Sequence, residues 1–256
     1  MKKLLKIMQQ LRDPQTGCPW DVKQSFQTIA PYTIEEAYEV ADAIEQNDMQ
    51  GLKLELGDLL FQVVFHSQMA QEAGLFNFTD VVDSVSDKMI ERHPHVFQTA
   101  GAQLTAEQQT LAWEQAKSQD KASVVDGIAK NLPELLKAVK LTRYAAVIGF
   151  DWPDVSHVFD KLTEEVDELK EAMVAEDQSH IEEELGDVLF VIANLARHLQ
   201  VDPSSALRKA NIKFEKRFRK VEKLAKELQP KKESFDLDIL DELWDQVKAE
   251  LQNHDD

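Results

Sequence analysis

Glu35-Glu36-Ala37-Tyr38-Glu39, followed by Glu55-Leu56-Gly57-Asp58-Leu59-Leu60-Phe61, is a pattern that the chain writes twice. It returns as Glu164-Glu165-Val166-Asp167-Glu168, followed by Glu184-Leu185-Gly186-Asp187-Val188-Leu189-Phe190, at an offset of 129 throughout. The two acidic motifs keep the same separation in each copy, from Glu36 to Glu55 and from Glu165 to Glu184. Such a repeat decides the architecture before any local reading does. Leu4-Leu5-Lys6 pairs with Leu135-Leu136-Lys137, and Trp113-Glu114-Gln115 with Trp244-Asp245-Gln246, both at an offset of 131. A nearly constant offset across most of the chain predicts duplication of a unit the size of a small domain. The expected division is a module over 1–117, a linker over 118–133 rich in Ser, Asp, Lys and Gly, and a second module over 134–256.

Each copy reads as helices. Thr33 is placed to cap the first acidic helix, with Glu36 three residues on as its capping-box partner. Ala37, Val40, Ala41 and Ile44 then recur at helical spacing, as do Leu52, Leu56, Leu59, Leu60 and Val63. Val166, Leu169 and Met173, then Ile181, Leu185, Val188, Leu189 and Ile192, repeat the pattern. Only 8 Gly and 8 Pro in 256 residues suit long helices better than a turn-rich sandwich. The expected fold class is all-α: two tandem helical modules with acidic sites of the four-helix-bundle type.

Charge narrows the partners. The formal net charge of -18 repels a nucleic-acid backbone and an anionic membrane, which argues against polymeric DNA or RNA. A small polyanion is another matter, because bound cations and a local basic stripe can reverse the field. One cysteine, Cys18, excludes an intrachain disulfide and a thiolate zinc cluster, so a cytoplasmic setting is expected. The early apolar run is broken by Lys6, Gln9, Gln10 and Arg12, so neither a signal peptide nor a transmembrane span is expected.

At about 100° per residue Glu36 and Glu39 share one flank of the apolar stripe, and Glu55 and Asp58 share the matching flank of the next helix. Glu165, Glu168, Glu184 and Asp187 do the same in the second copy. If the paired helices pack along their stripes, four carboxylates converge in each module, and they repel unless protonated or bridged by cations. A lone Glu-x-x-Glu is ordinarily a solvated face. Here the motifs, their separation and an interior glycine all recur, and Gly57 and Gly186 suggest close backbone approach or room for a ligand. Oxygen-only donors favour Mg²⁺, with Mn²⁺ as an alternative, over Zn²⁺.

From Arg208 to Lys232 the chain turns basic. Lys209, Lys213, Lys216 and Lys220 share one helical face, Phe214, Phe218, Val221 and Ala225 the other, and Arg217 lies between. Such a face can grip phosphate oxygens, and it can equally be a solvated amphipathic helix. Trp244 could stack on a base but lies in register with Leu240, Leu243, Val247 and Leu251, which favours core packing. Lys248 lies one turn beyond Trp244, and Lys161 can reach a phosphate or pair with Glu165.

Cys18-Pro19-Trp20-Asp21, Pro31-Tyr32-Thr33-Ile34-Glu35-Glu36 and the acidic motifs resemble the start of MazG proteins. Arg92-His93-Pro94-His95-Val96-Phe97, Gly149-Phe150-Asp151-Trp152, Asn211-x-Lys213-Phe214 with Arg217-Phe218, and Trp244-Asp245-Gln246-Val247-Lys248 continue the likeness to the C-terminus. The resemblance implies a Mg²⁺-dependent nucleoside triphosphate pyrophosphohydrolase that releases a monophosphate and pyrophosphate. It implies metal at Glu165, Glu168, Glu184 and Asp187, a matching acidic set at Glu36, Glu39, Glu55 and Asp58, and nucleotide contacts at Lys161, Glu164, Lys213, Arg217, Trp244 and Lys248. A homodimer is expected, because related pyrophosphatases build their bundles across subunits. Glu164 and Glu183 are both candidates for the base that deprotonates water, with neither selected. The N-terminal copy departs at His93-Pro94-His95, near the position of Arg217. The competing class is a nonhydrolytic helical adaptor that binds nucleotide or protein through the same grooves.

Overall fold

The computed structural model describes residues 1–97, 105, 108–109, 122–228 and 235–252, and these form helices joined by turns. The chain divides into two compact units, residues 1–103 and 104–256. The first holds α1 (Lys2–Leu11), α2 (Pro19–Val22), α3 (Phe26–Glu45), α4 (Met49–Glu72), α5 (Phe78–Arg92) and α6 (Pro94–Phe97). The second holds α7 (Glu134–Val147), α8 (Val155–Val174), α9 (Gln178–His198), α10 (Pro203–Leu228) and α11 (Leu237–Gln252). Residues 118–121 of the expected linker, and Trp113 to Lys117, lie outside the described residues, while residues 122–133 run as turns and bends.

The duplicated pattern becomes a duplicated helical hairpin, α3 against α4 and α8 against α9. Asp48 and Asp177, which share the offset of the acidic motifs, cap the second helix of each hairpin. Asp48 accepts from the backbone of Gln50 and Gly51, and Asp177 from that of Ser179 and His180. Each cap satisfies backbone donors that a helix start leaves open.

Thr33 does not start the first acidic helix. That helix begins earlier, at Phe26, capped by Ser25, whose side chain and Thr28 bond each other's backbone N–H. Pro31 sits inside, where it removes one i→i−4 bond without ending the helix. Burial of Ile29 and Ala43 on either side of that gap outweighs the lost bond. The Thr33 hydroxyl instead meets Ile29 O at 3.4 Å and His66 Nε2 at 3.0 Å.

In the first unit α1 lies on α4, and the core gathers Met8, Ile29, Val64, Phe65 and Met69. In the second, α7 packs on α9 through Ala138, Val139 and Ala193, and α10 packs on α11 through Val221, Ala225, Leu243 and Val247. These cores hold each acidic hairpin from one side and leave apolar residues of the hairpin exposed, among them Leu56, Leu60, Leu185 and Leu189.

Candidate metal and phosphate site

In the second unit α8 presents Glu165 and Glu168, and α9 presents Glu184 and Asp187. Ligand oxygens of Glu165, Glu184 and Asp187 all lie within 4.8 Å of one another. Glu168 stands at the edge of this group, hydrogen-bonded to Glu165. Loss of solvation, then the charges of Glu165 and Glu184, push its carboxyl above the ordinary 4.5. Three of the four expected carboxylates therefore converge closely, with the fourth within electrostatic reach.

Glu165 and Glu184 are buried. Glu184 is 9 % exposed, and its Oε1 lies 2.9 Å from His180 Nε2 one turn earlier. Its Oε2 is buried with no hydrogen-bond partner. An ionised oxygen in that position carries an uncompensated desolvation cost, which a cation would remove. Gly186 lies between the two α9 ligands, and a Cβ there would meet nothing within 4 Å. The glycine thus marks open space beside the carboxylates rather than close backbone approach. All-oxygen donors, a stranded buried lone pair and adjoining space together fit a hard divalent cation.

Lys161 Nζ lies 2.8 Å from both Glu164 Oε1 and Glu165 Oε1, and these two carboxylates raise its pKa. The lysine therefore stays charged and one side chain away from the acidic group. His180 was not among the expected site residues, although its place four residues before Glu184 puts it on the same helical face.

The expected nucleotide contacts from the last two helices form a second group. Phe214 stacks on Phe218 at 5.6 Å between centroids and tilts against Trp244 at 5.3 Å. Arg217 places its guanidinium 6.0 Å from the Trp244 ring centre, a cation–π arrangement. Trp244 is half-buried against the α10–α11 core, and Lys248 pairs with Asp245 at 2.8 Å. Lys213 is exposed. Among the described residues no hydrogen bond or ion pair joins Lys213, Arg217, Trp244 or Lys248 to the carboxylates.

The first unit repeats the acidic geometry with different neighbours. Oxygens of Glu36, Glu39 and Glu55 lie within 4.8 Å of one another, and Asp58 adds its charge to Glu36 and Glu55. Burial first, then Asp58, Glu39 and Glu35, raise Glu36 despite a 3.3 Å hydrogen bond from Gln62 Nε2. Glu55 is raised by desolvation and by Glu39. At the matching positions of the repeat, Tyr32 stands where the second unit has Lys161, and Gly51 where it has His180. The helix that follows, α5, ends at Arg92 before Pro94.

Similarity to known proteins follows the same two hairpins. The family model of the MazG nucleotide pyrophosphohydrolase domain matches residues 24–97 and again residues 155–222. Over 258 aligned positions the chain is 49% identical to a protein of Escherichia coli K12 named nucleoside triphosphate pyrophosphohydrolase, covering 97% of each chain. It is 43% identical to a Thermotoga maritima protein named nucleoside triphosphate pyrophosphohydrolase/pyrophosphatase MazG, over 97% of this chain and 95% of the other. Both family matches enclose a complete acidic helix pair, and the chain belongs to the MazG nucleotide pyrophosphohydrolase family.

Proposed function

We propose that the chain hydrolyses nucleoside triphosphates to nucleoside monophosphate and pyrophosphate, using the acidic group of the second unit. The observation that carries this reading is Glu184, a buried carboxylate with one oxygen left without a partner beside Glu165 and Asp187, inside a domain whose family acts on nucleotides. Glu165, Glu168, Glu184 and Asp187 would hold a divalent ion, Mg²⁺ with Mn²⁺ as a substitute. Such an ion, when bound, supplies positive charge to phosphate oxygens and makes a coordinated water more acidic.

The protein's own groups do the rest. Lys161, held charged by Glu164 and Glu165, can turn from them to a phosphate oxygen. Glu164 keeps that ammonium oriented at the rim. Lys213, Arg217 and Lys248 supply further donors for the triphosphate, and Trp244 positions Arg217 through its ring face. Donors aimed at charge that grows during hydrolysis are commonly worth about 100-fold or more in rate.

We assign the acidic set of the first unit to metal binding without efficient turnover, keep 1–117 and 134–256 as domain bounds, and place the protein in the cytoplasm as a homodimer. No described helix is long and apolar enough to cross a membrane, in keeping with that setting. Incubation with Mg²⁺ and each of the common triphosphates, followed by product chromatography, tests the reaction. Monophosphate and pyrophosphate are the expected first products. Diphosphate and orthophosphate would refute the cleavage position, and no turnover of any triphosphate would favour the adaptor reading.

A further inference from the structure

The two acidic groups differ in what stands one helical turn before their first carboxylate. Lys161 precedes Glu165 by four residues, and in the first copy of the repeat Tyr32 precedes Glu36 by the same step. Residues so spaced on a helix are neighbours. In the second unit the Lys161 ammonium lies 2.8 Å from Oε1 of Glu165, a residue only 5 % exposed. It holds an oxygen that a metal ion would also need. His180 Nε2 stands in the same way 2.9 Å from Oε1 of Glu184, the other buried carboxylate.

The first unit is built without these contacts. Tyr32 turns instead to Trp20, whose ring it meets edge-on at 5.9 Å between centroids, and glycine at position 51 offers no side chain in place of His180. Among the described residues no lysine, arginine or histidine pairs with Glu36, Glu39, Glu55 or Asp58.

What meets this group is an amide. Gln62 of α4 is 7 % exposed, and its Nε2 donates to Glu36 Oε1 at 3.3 Å. Its own Oε1 is buried with no hydrogen-bond partner. At the matching place of the second unit stands Val191, so the amide is particular to the first. A buried carbonyl oxygen without a donor is costly, and it is also a ligand type that hard cations take. Gln62 is thus a sign of a cation here that does not depend on the cluster of carboxylates.

Each group gathers three carboxylates within 4.8 Å, so both attract a divalent ion. They differ in the cost of entry. An ion joining Glu36, Glu39 and Glu55 disturbs at most the long hydrogen bond from Gln62. An ion joining Glu165 must part it from Lys161, or share the carboxylate with a positive charge close by.

We propose that the two acidic groups fill in order: the first unit holds a divalent ion before any nucleotide binds, and the second, where Lys161 competes for Glu165, takes its ion when phosphate oxygens draw the lysine away. The release by phosphate rests on the nucleotide reading above, whereas the ranking of the two groups does not. Lys161 thereby couples arrival of the metal to arrival of the polyphosphate, and the coupling is reciprocal.

Metal binding tests this without turnover. The full-length chain, cleared of metal with EDTA, is titrated with Mn²⁺, and the free ion is followed by electron paramagnetic resonance. Two classes of site are expected, about tenfold or more apart, with the tighter lost in Glu55→Gln and the weaker in Glu184→Gln. Lys161→Met removes the charge at similar length, and is expected to tighten the weaker class about tenfold while leaving the tighter one in place. Tyr32→Lys, at an exposed position, is the reverse change and is expected to weaken the tighter class by a similar factor, with circular dichroism confirming helical content in every variant. Inorganic pyrophosphate, at matched free Mn²⁺, is expected to tighten the weaker class of the wild-type chain. A single class of sites would overturn the proposal, as would loss of the tighter class in Glu184→Gln or a weaker class that neither Lys161→Met nor pyrophosphate moves. Classes that rank and respond as expected in a chain that hydrolyses no triphosphate would sink the hydrolase reading and leave the order of filling standing.

Discussion

Single residues decide which polar groups in this protein are structural and which are free for chemistry. Arg12 is the clearest structural case, with its side chain nearly buried, bonding Asp21 O at 2.5 Å and Glu72 Oε2 at 2.7 Å and covering the Phe65 ring at 5.3 Å. These bonds lock the end of α2 to α4, so the Arg12 charge is taken up by the fold. Glu184 is the opposite case, buried and half-satisfied. The Arg12 pair gives a pH prediction. Burial alone would raise the Glu72 carboxyl, but hydrogen bonds from Arg12 and Gln68, with the Arg12 charge, outweigh it and bring the pKa below the ordinary 4.5. The folded chain therefore holds this proton less tightly than the unfolded chain. The resulting stability is present above about pH 4.5 and is lost as pH falls through the folded-state value. Glu72→Gln is expected to cost about 1–2 kcal/mol at pH 7, discounted for the solvent exposure of Glu72, and to converge with the wild type in acid. Urea denaturation at a series of pH values measures this, and a deficit that stayed constant into strong acid would refute it.

At the scale of elements, the hairpins α3–α4 and α8–α9 were legible because period and repeat agree, and the carboxylate positions follow from helical geometry alone. Thr33 with Glu36 three residues on carries the pattern of a capping box, yet α3 starts at Phe26 and runs through Pro31 with Ile29 buried. Lys161 and His180 could be placed on their helices from spacing, whereas their partners could not, since a lysine one turn from two glutamates reaches either. The cavity lined by Leu141, Ala145, Trp152, Phe190 and Asn194 was not legible at all. It arises where three segments distant in sequence meet, and no local pattern encodes an unfilled space. The same hairpins also show what intrachain packing leaves undone: Ile34, Tyr38, Leu56 and Leu60 in the first unit, and Leu185, Leu189 and Ile192 in the second, stay exposed on helices whose other faces are packed. Covering such stripes with a second copy gains about 25 cal/mol for each Å² of apolar surface removed from water. Sedimentation equilibrium is expected to report a species of about twice the 29.2 kDa chain mass, and a fully active monomer at working concentration would contradict it.

For the whole molecule the question is why a chain keeps two acidic sites, and the neighbours of those sites point to unequal roles. Both hairpins gather three carboxylates within 4.8 Å, so ion binding by itself does not separate them. Hydrolysis of a triphosphate requires more, because the growing charge on its oxygens must meet donors already in place. The second unit supplies Lys161 beside the carboxylates and a long helix, α10, carrying Lys209, Lys213, Lys216, Arg217 and Lys220. In the first unit Tyr32 replaces Lys161, and α5 stops at Arg92, where Pro94 cannot continue it and His93-Pro94-His95 stands in place of a longer basic helix. Phe65, buried in the core of the first unit, stands at the position of Asn194. An ion bound in the first unit would therefore face a triphosphate with few donors, a setting suited to stability or regulation rather than turnover. Glu184→Gln removes one charge from the acidic set proposed to hold the metal without changing its shape, and is expected to lower kcat by about 100-fold or more with helical content intact. Glu55→Gln, the equivalent change in the first copy of the repeat, is expected to keep most of the turnover while weakening the stabilisation by Mg²⁺ measured as a rise in Tm. If Glu55→Gln abolished hydrolysis and Glu184→Gln did not, the roles of the two units would be reversed, and the positive charge on α10 would need another purpose.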